Sequence, residues 1–425
     1  MLRKLKNNLV NINVRQAWLD YYKDLGFEEI PSAPLIHPAF PTSFNMSAGL
    51  VQIAPIVASK TKVSPIKQCL IQKCIRYFDI KKVVDGIHLS FFEMPGAFEI
   101  VDFEEIEVVA KLWRFLTSVI QINPNKIWVT SFDENQINQI QIKQDINSYL
   151  KKQFKEKLIL GDKKTNFWVH RGNELTNNIN LCGPRVEFFY DLRSKLNPDD
   201  KLDNPLTNVE NFLEIASVLF IKYYIENKDS SVKKIINCAS ESVIGLERVS
   251  SVLEGKGSNL FESSFFSSFS AKLPLAKITS DVQIILDHIK SLIFILSEDT
   301  ILPDSKSERG IIIRNLIQNF LISCYVLSIS PQKYLPILVD EIIIYYKPIY
   351  PEIEMAKKIV IDIVLNHEKN FRVTLKKRSE MMNNYLKTNQ IENIQPVQKQ
   401  YLKENFGIEA KLIPLLMKGT FNLNR

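Results

Sequence analysis

The pattern of apolar and polar positions changes once along the chain, from mixed strand and helix signals to helix signals alone. Apolar residues recur at helical spacing over 14–27, and Gly26 ends that pattern. Two apolar runs, 69–78 and 88–100, flank a charged stretch, which predicts an antiparallel hairpin with a long polar loop. Helical spacing returns over 103–120. The first part of the chain therefore predicts a sheet with flanking helices.

Further strand signals follow, and the period then becomes helical almost to the end of the chain. The predicted strands cover 126–130, 166–169, 186–190 and 212–224. Helical spacing begins at Gly245. We therefore predict an α+β fold, with strands and helices over 1–255 and an all-α domain over 256–425.

Composition places the chain among ordinary globular proteins. Of its 425 residues, 45% are hydrophobic and 24% are charged, enough apolar content for a sizeable core. The net charge of +7 is compatible with a nucleotide or RNA partner and favours it only weakly. The longest apolar stretch, 311–329, contains Arg314 and several side-chain amides. These polar residues would form one face of a buried helix, so neither a membrane span nor a membrane partner is predicted.

Cysteine usage and the first residues indicate a compartment. None of the five cysteines forms a CxxC pair, and no histidine lies at metal-ligand spacing, so neither zinc nor a disulfide framework is expected. The basic start of the chain is followed by asparagines and not by an apolar stretch, so it is no secretory signal. We expect a soluble, cytoplasmic protein.

Three short sequence motifs are the most informative feature for function. They are Met-Ser-Ala-Gly-Leu at 46–50, Phe-Phe-Glu-Met-Pro-Gly at 91–96 and Ile-Gly-Leu-Glu-Arg-Val at 244–249. In this order and spacing they resemble the class II alanyl-tRNA synthetases. The resemblance implies a class II antiparallel sheet and one chemistry, the attack of an amino acid carboxylate on the α-phosphate of ATP.

The resemblance extends over nearly the whole chain. Residues 15–32 are similar to the opening helix and first motif of the family, and 166–168 and 182–191 to its central strands. Residues 287–290 and 309–314 resemble the start of its helical tRNA-reading domain, and 402–407 the end of it. The editing domain of the family, with its zinc site, and its C-terminal domain would follow residue 425. The expected protein is therefore the catalytic and helical parts without them.

Arginine suits phosphate recognition because its planar fork makes charge-assisted, bidentate bonds to phosphate oxygens. Arg76 and Arg248 match the catalytic arginines of the family; either one alone would more often be a surface salt-bridge partner, and the two together within these motifs favour the catalytic role. Alternation along a strand directs only one of the two adjacent rings, Phe91 or Phe92, at adenine. Glu187 is the implied ligand of an ATP-bound Mg²⁺, with a buried structural hydrogen bond as the alternative. The implied ATP-binding residues are Arg76, His88, Phe91, Phe92, Glu93, Met94, Glu187 and Arg248.

The amino acid site departs from the pattern of the family. Glu241 stands where the family has the aspartate that binds the substrate ammonium group, and Val243 replaces a glycine. The hairpin loop lacks a glycine pair, a lysine and an arginine of the family. Lys81 or Lys82 could supply the missing cationic contact to ATP. The implied amino-acid-binding residues are Ser47, Trp168, Val218, Glu241, Val243 and Gly245.

The helical part would read the tRNA acceptor stem. Its implied tRNA-binding residues are Glu308, Arg309, Arg314 and Glu404, of which the two acids would repel phosphates. The expected function is ATP- and Mg²⁺-dependent activation of a small amino acid, alanine by resemblance, and its transfer to tRNA. Two alternatives stay open: a stand-alone paralogue that charges another acyl acceptor, such as a carrier protein or small amine, and a non-catalytic scaffold.

Overall fold

The computed structural model describes residues 10–37, 44, 46–133, 145–170, 173, 176, 178–193, 203–225, 232–298, 303 and 306–418. Contacts between residues divide the chain into two compact units. The first unit comprises the chain up to Ile75 and Phe92–Phe265, and the second comprises Arg76–Phe91 and the chain from Phe266 onward. The domains 1–255 and 256–425 stay a prediction, since this division lies at another residue and assigns the hairpin loop to the second unit.

One mixed, mainly antiparallel sheet organises the first unit. Within the described residues, its strands are β1 Glu28–Glu29, β2 Ile66–Ile75, β3 Phe91–Ile100, β4 Ile127–Phe132, β5 Leu158–Gly161, β6 Phe167–Val169, β7 Asn180–Asp191, β8 Phe212–Ile225 and β9 Val232–Ile244. Their order is β1-β2-β3-β9-β8-β7-β4-β5, and β6 pairs with β7. The pairs from β3 through β9, β8 and β7 to β4 are antiparallel, whereas β1–β2 and β4–β5 are parallel. The predicted α+β fold class is confirmed.

Five helices belong to the described part of this unit, namely α1 Val10–Asp24, α2 Leu50–Val57, α3 Glu105–Arg114, α4 Asp145–Phe154 and α5 Leu246–Leu253. Helix α1 forms where apolar spacing predicts it, because Trp18 and Tyr22 share one face and are both buried. The ring of Trp18 lies 4.9 Å from that of Phe115, which opens a π-helical turn directly after α3. The predicted helix over 103–120 is thus α3 and this turn.

Strands β2 and β9 are two places where the structure differs from the sequence expectation. Strand β2 ends at Ile75, and Tyr77–Asp79 forms a 3₁₀ turn where the strand was expected to continue to residue 78. Strand β9 was not predicted, because its apolar residues are interrupted by Asn237, Ser240 and Glu241. Ser240 and Glu241 are buried where β9 is paired on both sides, with β3 and β8, whereas Asn237 is buried against the loop that follows α2.

The second unit is helical, as the period from Gly245 onward predicts. Helix α6 (Ser264–Ser270) spans the division, and α7 Ser280–Glu298, α8 Glu308–Val326, α9 Pro331–Tyr346, α10 Ala356–Thr388, α11 Pro396–Phe406 and α12 Ile413–Lys418 follow. Helix α7 is buried along most of its length because α8, α9 and α10 pack around it. Of the helices that the structure describes, none is both long and apolar enough to cross a membrane.

Asn237 fixes the loop that follows α2, and its replacement is expected to destabilise the fold. Its side chain is fully buried, and its Oδ1 accepts the N–H of Val63 at 3.1 Å. Its Nδ2 donates to loop carbonyl oxygens, including those of Ser59 and Thr61 at 3.3 and 2.9 Å. Asn237→Ala removes the side chain that pairs these backbone groups, so we expect a loss of about 2–4 kcal/mol in the free energy of unfolding. Urea unfolding measures it; a loss no larger than that of the exposed Asn389→Ala would contradict this role.

Candidate active site

The carboxylate of Glu241 is buried in the middle of the sheet of the first unit. Glu241 is 5% exposed, and its Oε1 accepts the N–H of Leu50, the first residue of α2, at 2.9 Å. In β9 it pairs with Phe98 of β3 and Leu219 of β8. An anion is stabilised at a helix N-terminus by the unpaired backbone N–H groups there. Glu241 therefore presents a negative charge among apolar side chains, as a bound ammonium group requires.

The motif at 46–50 lies directly against this carboxylate. A Cβ added to Gly49 would lie 2.9 Å from Cζ of Phe98 and 3.7 Å from Oε1 of Glu241, so this position has room only for glycine. Ser47 lies half-buried at the start of the same turn. Trp168 packs, partly buried, on the apolar cluster that contains Leu50, Phe98 and Leu219. The structure thus brings Ser47, Trp168 and Glu241 into one neighbourhood.

Strand alternation corrects one predicted residue of the amino acid site. Val218 pairs with Ser242 and Val186, whereas its neighbour Leu219 pairs with Glu241. Successive residues of a strand face opposite sides of a sheet, so Val218 faces away from Glu241. Val243 lies two residues beyond Glu241 on the same face. Leu219 therefore replaces Val218 in the apolar surroundings of Glu241.

Arg248 is held over β8 by the start of α5. Gly245 caps this helix and donates its N–H to the carbonyl oxygen of Ile215 at 3.1 Å. A Cβ on Gly245 would lie 3.4 Å from Cδ of Arg248, so the glycine lets the arginine side chain lie close to the backbone. Nη1 of Arg248 donates to the carbonyl oxygen of Glu214 at 3.0 Å and lies 3.6 Å from Oε2 of that residue.

Glu214, which the sequence analysis missed, lies on the same sheet face as Glu187. A register shift after Phe188 pairs Phe189 with Glu214, and Phe189 shares the face of Glu187. Glu187 is buried; its Oε2 accepts Thr130 Oγ1 and Asn166 Nδ2, both at 3.2 Å. A carboxylate inside the apolar run 212–215 was the available signal, although the shift that sets its direction could not be read from the sequence.

Burial raises the pKa of Glu187 to about 7, and the charge of Glu214 adds to this effect while Arg185 opposes it. A carboxyl whose folded-state pKa exceeds its unfolded value stabilises the fold at low pH and loses that contribution as the pH rises through 7. We expect the wild-type protein to lose about 3 kcal/mol more than Glu187→Gln in the free energy of unfolding between pH 4.5 and 8. Urea unfolding across this range measures the difference, with the exposed Glu156→Gln as control. Equal pH slopes for Glu187→Gln and the wild type would contradict it.

Several predicted ATP-binding residues lie in the second unit. Arg76 follows β2 directly and donates its backbone N–H to the carbonyl oxygen of Ser90 at 2.8 Å. Nδ1 of His88 lies 2.5 Å from Oδ2 of Asp85. Phe91 is buried, and its ring stacks at 3.9 Å and 10° on that of Phe294. Arg76 and Arg248 belong to different units, and their contact with one nucleotide stays a prediction.

After Phe91, the motif at 91–96 belongs to the first unit, and its residues differ in solvent exposure. Phe92 is half-buried, so it is the more accessible of the two rings. Glu93 is buried and ion-paired with Arg15 of α1, and its N–H lies 3.3 Å from both carboxylate oxygens of Glu247. Met94 is also buried. The side chain of Glu93 thus has a structural partner, and its contact with ATP stays a prediction.

The predicted tRNA-binding residues all lie in the second unit. Glu308 is exposed in the first turn of α8, and Arg309 and Arg314 are half-buried on the same helix. Burial raises the pKa of Tyr77, and the carboxylate of Glu308 adds to that rise. Glu404 is exposed on α11, where it accepts a hydrogen bond from Gln400. Their contact with RNA stays a prediction.

The described part of the chain contains no group of three or more histidine, cysteine, aspartate or glutamate side chains that could hold a metal ion. Glu214 lies 3.6 Å from Arg248, and its charge acts on Glu187, whose Oε1 lies 2.8 Å from Nη2 of Arg185. Mg²⁺ prefers oxygen ligands and is commonly held by one or two carboxylates together with substrate phosphates. The carboxylates of Glu187 and Glu214 fit a magnesium ion that arrives with a nucleotide.

Comparison with known protein families identifies the family of this chain. A profile described as tRNA synthetases class II (A) matches residues 13–420. The chain belongs to this family of class II tRNA synthetases, and ATP use is a property that the family implies.

The similar curated proteins are alanine–tRNA ligases. One from Dehalococcoides mccartyi is 26% identical over 385 residues, covering 87% of this chain and 42% of the relative. One from Petrotoga mobilis is 27% identical over 384 residues, covering 88% and 42%. The chain thus spans less than half the length of these relatives.

Solved structures with some similarity to this chain include two tRNA synthetases. The apo histidyl-tRNA synthetase of S. aureus has a TM-score of 0.35 and 11% identity, covering 60% of this chain and 68% of that one. The pyrrolysyl-tRNA synthetase of Desulfitobacterium hafniense has a TM-score of 0.30 and 14% identity, covering 62% and 75%.

Proposed function

We propose that this chain activates a small amino acid with ATP, forming an aminoacyl adenylate, and transfers the acyl group to tRNA. Alanine is the first candidate, because alanine–tRNA ligases are the curated relatives reported above. The observation that supports the proposal best is the buried carboxylate of Glu241, which accepts the N–H of Leu50 among apolar side chains. Two further carboxylates, Glu187 and Glu214, lie on strands of the same sheet, and Arg248 of α5 lies 3.6 Å from Glu214.

Each charge suits one part of the reaction. Glu241 would bind the ammonium group of the amino acid and so orient its carboxylate. A carboxylate oxygen then attacks the α-phosphorus of ATP, a new phosphorus–oxygen bond forms, and pyrophosphate leaves with the electron pair of the broken bond. Arg76 and Arg248 would neutralise phosphate charge that develops in this step, which lowers its barrier. Phe92 would stack on adenine, with His88, Glu93 and Met94 near the nucleotide.

A magnesium ion fits the two carboxylates of Glu187 and Glu214. Glu187 and Glu214 would hold a Mg²⁺ ion, which neutralises the outer phosphates when it is bound. Because Glu187 has a raised pKa, protonation would compete with the ion near neutral pH. ATP affinity should therefore depend on pH through this residue.

The surroundings of Glu241 favour a small side chain on the substrate. Leu219 and Phe98 flank it in the sheet, and Val243 faces the same side. Trp168 packs on the same cluster. The glutamate is one methylene longer than an aspartate and brings the carboxylate closer to the substrate, which reduces the space further. Glycine, alanine and serine are the amino acids of suitable size.

Amino-acid-dependent exchange of labelled pyrophosphate into ATP tests this proposal. The full chain is assayed with each of the twenty amino acids at equal concentration, and exchange is expected with alanine or another small amino acid. Exchange with a large amino acid alone would contradict the proposed size limit. No exchange with any amino acid would overturn the enzymatic proposal and favour a non-catalytic scaffold.

A non-tRNA acceptor is the second candidate, and the exposed acids Glu308 and Glu404 favour it. Carboxylates at an RNA-reading surface repel phosphates and weaken binding. A charging assay compares tRNA that has the acceptor-stem wobble pair with a Watson–Crick mutant. Charging that depends strongly on the wobble pair supports the tRNA ligase. Amino acid activation without charging of either tRNA supports a carrier protein or small amine as acceptor.

A further inference from the structure

The hairpin loop between β2 and β3 is a structural part of the helical unit. Its segment Arg76–Phe91 groups with α7–α12, although the strands before and after it belong to the sheet of the first unit. The N–H of Arg76 donates to the carbonyl oxygen of Ser90 at 2.8 Å, which closes the segment at its base. Inside it, Gly86 has a φ of +81° and ends the short turn Val83–Asp85.

Asp287 of α7 holds the base of this segment. Its carboxylate is fully buried; Oδ1 accepts the N–H of Ser90 at 2.9 Å and Oδ2 accepts its hydroxyl at 2.5 Å. Nδ1 of the fully buried His288 lies 3.0 Å from Oδ2. A buried carboxylate is tolerated only where hydrogen bonds replace its lost hydration. The buried carboxylate of Asp287 therefore depends on all three contacts, and losing Asp287 would remove both hydrogen bonds that it accepts from Ser90.

Apolar and cationic contacts fix the same segment to α7. The ring of Phe91 stacks on Phe294, and the ammonium group of the fully buried Lys290 lies 5.5 Å from the ring centroid of Phe91. The turn Val83–Asp85 also packs on α7, with Val83 fully buried. Stacking and cation–π contacts of this kind contribute most where they are desolvated, as they are here. Helix α7 therefore contacts this segment at its middle and at its end.

We infer that Asp287 is a positioning residue for amino acid activation. By holding Ser90 it fixes the segment of the second unit that presents Arg76 and His88. The part of this inference that concerns ATP rests on the proposed function. The part that concerns the segment does not, because the contacts of Asp287 lie within the second unit.

Two variants of the full chain test the inference. Asp287→Asn replaces one accepting oxygen by a donor, and Ser90→Ala removes only the hydroxyl and keeps the backbone bond. We expect faster hydrogen exchange of the amides of 76–91 in both. The KM for ATP in pyrophosphate exchange should rise about tenfold in Asp287→Asn and less in Ser90→Ala, while the KM for the amino acid changes by less than about twofold. The milder variant keeps the test usable if Asp287→Asn folds poorly.

Glu368→Gln is the matched control. Glu368 is a buried carboxylate of the same unit, and it accepts the hydroxyl of Tyr325 at 2.7 Å and pairs with Arg372 of its own helix. Its neutralisation should lower the stability of the unit without a specific effect on 76–91 or on the KM for ATP. A rise in the KM for ATP in this control equal to that of Asp287→Asn would reduce the role of Asp287 to general stability and overturn the inference.

Two further outcomes separate the inference from the proposed function. Unchanged hydrogen exchange of 76–91 in Asp287→Asn overturns the inference, even if the wild-type protein activates an amino acid. Faster exchange with an unchanged KM for ATP overturns the positioning role. A wild-type protein without pyrophosphate exchange overturns the proposed function and the ATP part of the inference, and the hydrogen exchange data still decide whether Asp287 fixes the segment.

Discussion

Glu241→Gln is expected to abolish amino-acid-dependent pyrophosphate exchange while ATP affinity changes little. Glutamine keeps the size of the side chain and an oxygen for the N–H of Leu50, but it has no charge for the ammonium group of the substrate. Removing one partner of a buried ion pair costs about 3–5 kcal/mol. The kcat/KM for the amino acid should therefore fall by at least about a hundredfold. Steady-state exchange kinetics measure this loss, and ATP binding is followed separately by calorimetry.

Glu99→Gln is the control for this prediction. Glu99 is a buried carboxylate on β3, where it pairs with Ser240, next to Glu241, and accepts Nζ of Lys111 at 2.7 Å. It follows Phe98, the partner of Glu241, and so faces the other side of the sheet. Neutralising Glu99 should lower stability and leave exchange kinetics nearly unchanged. Equal losses of exchange in both variants would show that Glu241 acts on the fold and not on the substrate.

The features of the fold that the sequence predicts are those in which a local period coincides with burial. Helix α1 follows from the helical spacing of Trp18 and Tyr22, both of which are buried. Strand β9 could not be found in this way, because Asn237, Ser240 and Glu241 interrupt its apolar residues, and Ser240 and Glu241 lie where the strand is paired with both β3 and β8. Burial that depends on strand pairing is a tertiary property and leaves no local signal.

The candidate site divides in the same manner. Glu241 and Arg248 could be chosen as candidates from the sequence, because Arg248 lies within the motif at 244–249 and Glu241 stands four residues before Gly245 of that motif. The sheet faces on which Val218 and Glu214 lie could not be predicted. They follow from the pairing of Leu219 with Glu241 and from the register shift after Phe188, and both depend on neighbouring strands. The bond between Ser90 and Asp287 joins residues 197 positions apart, and no local pattern indicates it. The chemistry of the residues is thus readable from the sequence, while their direction depends on the sheet.

Arg248→Ala is expected to weaken ATP binding by about a hundredfold, because charge-assisted bonds from a guanidinium to phosphate contribute about 1.5–3 kcal/mol each. The guanidinium is half-buried, and its bond to the carbonyl oxygen of Glu214 restricts its direction before ATP arrives. Arg248→Lys should recover only part of the affinity, because an ammonium group keeps the charge but not the planar fork. Calorimetric titration with ATP in the presence of Mg²⁺ measures both variants.

Arg193→Ala separates the loss of a phosphate contact from the loss of an arginine in the same unit. The guanidinium of Arg193 bonds to Asp191 at 2.7 Å and to Asp203 at 3.2 Å, and it lies 4.7 Å from the ring of Phe212. Its removal leaves the carboxylate of Asp191 buried without its cation, so stability should fall while ATP affinity stays within about twofold. An ATP affinity unchanged in Arg248→Ala, or equally weakened in both variants, would exclude Arg248 as the phosphate-binding arginine, because its charge would then act only on the fold.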